Sequence, residues 1–132
     1  MIVSSKLEYE DAIEFGISKN KLRLIPMGIN VDDYAENSGK RMTEAMNILF
    51  VGRIARVRRV EILLKAVEKL SIPFHLTLVG GEEKTASRSR LGYVKELKEL
   101  CKTLNITDRV TFVGPVAQSE LSNWYKKADI FV

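Results

Sequence analysis

An α/β fold built on a parallel sheet is what three features of this sequence predict. Short apolar segments, too short for helices, recur at Ile48–Val51, Phe74–Val79 and Val110–Val113. Between them apolar residues fall three and four apart, the stripe of a helix that buries one face. The three segments run into glycine, at Gly52, Gly80 and Gly114. Strand–helix units of about 30 residues, repeated, join parallel strands through right-handed crossovers.

Taken in order, Met1 to Val3 is a short apolar run leading to Ser4-Ser5. Ser5 with Glu8 three positions on has the spacing of a capping box, so a helix starts there, with Tyr9, Ala12 and Ile13 inward and Gly16 as its stop. Leu22 to Ile25 is a strand, closed by Pro26 and Gly28. Residues 34–46, YAENSGKRMTEAM, have no strand pattern and little aliphatic content, and read as a linker between two structural units. The strand Ile48–Val51 follows, then Gly52 and a turn holding Arg53, Arg56, Arg58 and Arg59, then a helix over roughly residues 58–70 with Val60, Leu63, Leu64, Val67 and Leu70 on one stripe. Ser71 to Pro73 breaks it before Phe74–Val79. After Gly80-Gly81 the polar stretch EEKTASRSR reads as a surface loop. The next helix turns Val94, Leu97, Leu100, Cys101 and Leu104 inward, Asn105 to Asp108 turn the chain, and Val110–Val113 ends in Gly114-Pro115. Leu121, Trp124, Tyr125 and Ala128 mark one more helix, its two aromatics expected in the core, and residues 129–132 begin another strand. A chain stopping inside a strand reads as a fragment.

At 132 residues there is enough chain for a real core. The net charge of +4 is unevenly spread: residues 1–33 hold four Lys/Arg against six Asp/Glu, a net of −2, and residues 34–132 hold seventeen against eleven, a net of +6. The basic part is the one with the arginine turn, which suits a phosphorylated small molecule, an anionic membrane surface or nucleic acid. Cys101 is the only cysteine, which excludes an internal disulfide framework and a cysteine-based zinc site and fits a reducing compartment. No apolar run approaches the length of a membrane span and the N-terminus lacks a signal-peptide pattern, so a cytoplasmic location is expected. His75 and Cys101 are expected to be structural, and Arg56 and Arg59 solvated.

In an open parallel sheet, ligands sit outside the carboxyl ends of the strands. The three glycine turns share that edge, glycine lets backbone approach a ligand closely, and arginine offers a fork of donors matched to phosphate oxygens. The residues therefore point to an anion site, most simply for a phosphate, with a solvated basic turn as the alternative.

The succession VSS, a helix, FGISKNKLRLIPMGIN, ILFVGRIARVRRVEILLKAV, LTLVGG, DRVTFVGPV and LSNWYKKADIFV resembles the retaining glycosyltransferases of the large group-1 family, over essentially the whole chain. The resemblance implies a Rossmann-like parallel sheet with flanking helices, here the truncated half of a two-domain glycosyltransferase. Residues 1–33 would be the last strand–helix–strand of the acceptor domain, 34–46 the linker, and 47–132 the first half of the domain that binds the nucleotide sugar. It implies transfer of a hexose from a nucleotide-diphosphate sugar to a carbohydrate or lipid-linked acceptor, with no cofactor and no metal. Arg53 and Arg58 would bind the donor diphosphate, Arg58 standing where the family has a lysine. Gly52, Gly80 and Gly81 would line the donor site, Pro115 and Val116 would reach the nucleotide base, and Gly28 would be the hinge-side glycine. Arg59 replaces a family glycine, and Met27 and Asn30 replace an asparagine and an aspartate. The family's paired catalytic glutamates lie beyond residue 132, so this piece alone is expected to be inactive, and docking at the inner face of a membrane is left open. The alternatives are a non-catalytic nucleotide- or phosphate-binding Rossmann module and, since the aromatics fall on helix stripes, less favourably a nucleic-acid binder.

Overall fold

The computed structural model describes residues 1–28, 44–82 and 92–132. The chain divides into two compact units, residues 1–33 and 34–132. The proposed linker lies outside the described residues up to position 43, as does all of the polar loop beyond Glu82.

In the first unit β1 (Ile2–Val3) pairs in parallel with β2 (Arg23–Leu24), and α1 (Lys6–Glu14) connects them. Ser5 caps the helix, its Oγ accepting from the Glu8 N–H at 3.1 Å. The Glu8 carboxylate reaches one residue further back than a regular capping box, accepting from the Ser4 N–H at 2.7 Å and the Ser4 hydroxyl at 2.8 Å. Gly16 takes a left-handed φ of 97° and ends the helix. Val3, Ala12 and Leu22 form a small core, with Tyr9, Ile13 and Ile17 packed on it.

The second unit is a four-stranded parallel sheet in the order β5-β4-β3-β6, made of β3 (Met46–Val51), β4 (Phe74–Val79), β5 (Val110–Gly114) and β6 (Ile130–Phe131). Between strands run α2 (Val60–Glu68), α3 (Tyr93–Thr103) and α4 (Leu121–Lys127). One sheet face, through Ile48, Phe50, Phe74, Leu76 and Leu78, meets the stripes Val60–Leu64–Val67 of α2 and Tyr93–Leu97–Cys101 of α3 in a single core. Complete burial of a Leu such as Leu64, Leu76 or Leu78 stabilises by about 1.5–3 kcal/mol, so this face supplies most of the unit's cohesion. The Cys101 thiol is buried there as expected. His75 lies in β4, its Nε2 2.9 Å from the Thr111 hydroxyl on β5.

Three expectations need correction. β3 starts at Met46, inside the expected linker, because its N–H bonds to the Pro73 carbonyl at 2.9 Å and extends the ladder backwards. The helix after the arginine turn begins at Val60, not at Arg58: residues Arg56–Arg58 form a 3-10 turn, and Arg59 interrupts with φ 52° and ψ 39°. Trp124 and Tyr125 are half-buried instead of core. Tyr125 meets the exposed Phe131 edge-on at 5.1 Å between ring centroids, and the Lys127 ammonium lies over the Trp124 ring. Amphipathic spacing tells which face turns inward, and burial also needs a layer deep enough to cover it.

Candidate functional site

Parallel pairing brings the carboxyl ends of β3, β4 and β5 to one edge of the sheet, and backbone hydrogen bonds lock the three glycine turns together there. The Gly52 N–H donates to the Val79 carbonyl at 3.0 Å, the Ile54 N–H to Gly81 at 3.0 Å, and the Gly80 N–H to Gly114 at 2.8 Å. A register shift after Leu78 pairs Val79 with Gly114 and lets β5 run past β4 into its turn. The contact between Gly80 and Gly52 is so close that a Cβ on Gly80 would stand 1.9 Å from the Gly52 carbonyl oxygen. Gly81 faces the Pro115 ring, with the nearest ring carbon 3.4 Å from where its Cβ would be. Gly52, Gly80, Gly81 and Pro115 are thus brought to one place, with half-buried Val116 next in the chain. Gly28 belongs to the first unit, where its backbone is open.

Arg53 follows Gly52 directly and is exposed; Arg58, also exposed, closes the 3-10 turn, with its N–H donating to Ala55 at 2.8 Å. Buried Ile54 anchors the turn between them. The edge is therefore a rigid glycine-lined backbone floor beside a turn carrying two exposed arginines. Such an edge can admit a flat or extended anionic group close to backbone and give it charge-assisted hydrogen bonds. Among the described residues no three His, Cys, Asp or Glu side chains cluster as metal ligands would, and no described helix is long and apolar enough to cross a membrane.

The other two arginines of the turn are not simply solvated, as the sequence suggested. Arg56 pairs with Glu96 of α3 at 2.6 Å and lies 5.0 Å over the Tyr93 ring. The Nε of Arg59 donates to Glu61 Oε1 at 2.7 Å. The Tyr93 hydroxyl donates to the other Glu61 carboxylate oxygen and accepts from the Glu61 N–H at 3.4 Å. Tyr93 is 3% exposed, so this bond forms at the margin of the core, in a hollow between the starts of α2 and α3. The inward set expected from the sequence, Val94, Leu97, Leu100, Cys101 and Leu104, missed Tyr93, although its spacing of four to Leu97 and eight to Cys101 places it on the buried stripe. It also missed Glu82, whose carboxylate accepts from the Val94 N–H at 3.2 Å at the start of α3.

The Tyr93 hydrogen bond is the main reason the Glu61 carboxyl sits below its ordinary 4.5, with burial opposing it and Arg59 assisting. Burial, reinforced by the bond to Glu61, pushes the Tyr93 hydroxyl above its ordinary 10.0. The lowered Glu61 contributes stability that is present above 4.5 and lost as pH falls through the folded-state value. The raised Tyr93 contributes stability that is present below 10.0 and lost as pH rises through its folded-state value. Thermal midpoints measured across pH should show a plateau between those limits. Tyr93→Phe should flatten both shoulders, and unchanged shoulders would remove this pair as their source.

The family described as glycosyl transferases group 1 matches residues 45–132. A D-inositol 3-phosphate glycosyltransferase of Xylanimonas cellulosilytica is 26% identical over 145 residues, covering 98% of this chain and 33% of that protein. A second such enzyme, from Catenulispora acidiphila, is 29% identical and covers 89% of this chain and 30% of its own length. Among solved structures, sucrose-phosphate synthase of Thermosynechococcus elongatus superimposes with a TM-score of 0.75 at 29% identity, over 98% of this chain and 33% of that one. Anabaena HepE, solved in complex with UDP and glucose, superimposes with a TM-score of 0.78 at 19% identity over 98% of this chain and 36% of its own, and so speaks for the fold alone. The chain spans about a third of the length of the curated relatives it matches.

Proposed function

This chain belongs to the group 1 glycosyl transferases, and from that premise we propose that it carries the donor-diphosphate site of an enzyme moving a hexose from a nucleotide-diphosphate sugar to an acceptor hydroxyl with retention of anomeric configuration. One observation carries the reading: three glycine turns hydrogen-bonded together at the carboxyl edge of a parallel sheet, the first of them bearing Arg53 and Arg58. The relatives' names support glycosyl transfer; HepE, which shares the fold, was solved with UDP and glucose, the kind of ligand the reading calls for. The second unit is then part of the donor domain, and the first unit part of the domain that receives a carbohydrate or lipid-linked acceptor.

In the reaction the bond between the anomeric carbon and the β-phosphate oxygen breaks, and its electron pair stays on the diphosphate. A new bond forms from the acceptor oxygen to that carbon, and the acceptor hydroxyl's proton passes to the departing diphosphate oxygen. Negative charge therefore grows on the leaving phosphate, where fixed cationic donors stabilise the transition state more than the ground state. Arg53 and Arg58 fill that role, and the glycine floor lets the diphosphate lie close to backbone. With arginines neutralising the phosphates the reading calls for neither metal nor cofactor.

Titration of the protein with UDP, GDP and a single-stranded oligonucleotide tests this. Saturable binding of one nucleoside diphosphate, poorly competed by inorganic phosphate, is expected. Equal competition by inorganic phosphate would favour a plain phosphate-binding module, and preference for the oligonucleotide would overturn the reading.

A further inference from the structure

Arg59 takes φ 52° and ψ 39°, a left-handed conformation that side-chain-bearing residues adopt at a cost of about 1–2 kcal/mol. Such a conformation persists when its surroundings over-determine it. Here the fixing contacts are visible. The side chain of Arg59 is tied back to Glu61 two residues on, and the second oxygen of that carboxylate is held by Tyr93, thirty-two residues away on α3. On the other side of Arg58, Arg56 is held by Glu96 and by the face of the same Tyr93 ring. Arg59, next after Arg58, is therefore linked through Glu61 to the same nearly buried tyrosine that Arg56, two residues before Arg58, lies over.

We propose that Tyr93 is a positioning residue for the donor diphosphate, its hydroxyl holding Glu61, and Glu61 holding Arg59 left-handed, so that the turn keeps the shape in which Arg53 and Arg58 are presented together. This rests on the donor-site reading above. Tyr93 touches no ligand; it acts through Glu61 and Arg59. The two surface pairs alone would be weak anchors, since exposed ion pairs contribute little. The tyrosine matters because it is nearly buried and meets the turn twice, its ring face under Arg56 and its hydroxyl on Glu61.

The consequence is a dependence between two positions that a purely structural role would not produce. Tyr93→Phe keeps the ring and removes the hydroxyl. It is expected to weaken UDP binding about 5–10-fold, the scale of a lost coupling within one hydrogen-bonded network, while uridine binding stays as it was. Glycine adopts the left-handed conformation without strain, so in an Arg59→Gly background the turn no longer needs its clamp. There Tyr93→Phe is expected to change UDP affinity less than about 2-fold, the limit of non-interacting sites. Calorimetric titration of the four proteins, unsubstituted, each single variant and the double variant, reads this directly. An equal Tyr93→Phe loss in both backgrounds, or an equal loss for UDP and uridine, would refute the positioning role. UDP binding that is sensitive to Arg53→Ala and indifferent to Tyr93→Phe would refute it while leaving the donor reading intact. Failure of the unsubstituted protein to bind any nucleoside diphosphate would remove both.

Discussion

Gly80→Ala should destabilise the second unit by about 3–5 kcal/mol, combining the 1–3 kcal/mol of a strained backbone with the 1–3 kcal/mol or more of forced overpacking. The added methyl would sit 1.9 Å from the Gly52 carbonyl oxygen and 2.8 Å from its carbonyl carbon, and the position has φ 137°. Neither partner can yield cheaply. Gly52 is bonded through its N–H to Val79, Gly80 through its own to Gly114, and Ile54 to Gly81, so moving one turn pulls on all three. Relief would require opening the ends of β3 and β4. For a domain whose whole stability is about 5–15 kcal/mol, that is a large part. Gly81→Ala is the matched control: among the described residues the nearest atoms to its Cβ would be those of the Pro115 ring, from 3.4 Å outwards, and a change within about 1 kcal/mol is expected. Urea unfolding of both variants decides it, and indistinguishable midpoints would show that the turns are free to separate.

Why the sequence disclosed this much of the sheet follows from what kind of information each feature is. Ile48 to Val51 and Phe74 to Val79 are short, apolar and bounded by breakers, so length and punctuation identify them without knowledge of their partners. That the turns after them converge follows from parallel topology alone. How closely they converge does not, because the contact of Gly80 with Gly52 joins positions 28 apart and depends on the twist and register of β3 against β4. The added residues of β3 at Met46 and Asn47 were hidden for the same reason, since Met46 is recruited by Pro73.

The arginine turn shows the opposite limit. Arginine is a good helix former, so residues 58 and 59 looked like the first turn of α2. The observed 3-10 turn and left-handed Arg59 break local propensity, and Glu61 and Tyr93 hold the exception in place. Arg59, where the resemblance expects a glycine, takes a left-handed conformation that glycine adopts without strain. Arg56 and Arg59 were read as solvated because their acidic partners, Glu96 and Glu61, owe their placement to helix packing. Charge sign was legible in the sequence; charge pairing was not.

That pairing also sorts the four arginines by what they can offer a ligand, which sets the second large effect. Arg56 and Arg59 are engaged with carboxylates, whereas Arg58 is exposed and makes no side-chain hydrogen bond or ion pair among the described residues; Arg53 is singled out by its place, exposed directly after Gly52 at the end of β3. Arg53→Ala and Arg58→Ala should each weaken nucleoside-diphosphate binding about 10–100-fold, since a charge-assisted hydrogen bond contributes about 1.5–3 kcal/mol. Arg58→Lys should recover part of the loss, because an ammonium restores the charge and not the two-pronged geometry. Arg56→Ala, which removes a guanidinium already paired with Glu96, should cost less than either. The losses should shrink as salt is raised, as contacts between exposed charges and phosphate do. Arg58→Ala should leave the unfolding free energy within about 0.5 kcal/mol of the parent, because its side chain makes no hydrogen bond or ion pair among the described residues. Calorimetry with UDP and GDP at two ionic strengths gives every comparison. Equal effects at positions 53, 56 and 58 would mean that the turn attracts phosphate by net charge alone, and the selection of Arg53 and Arg58 as the diphosphate donors would then be wrong.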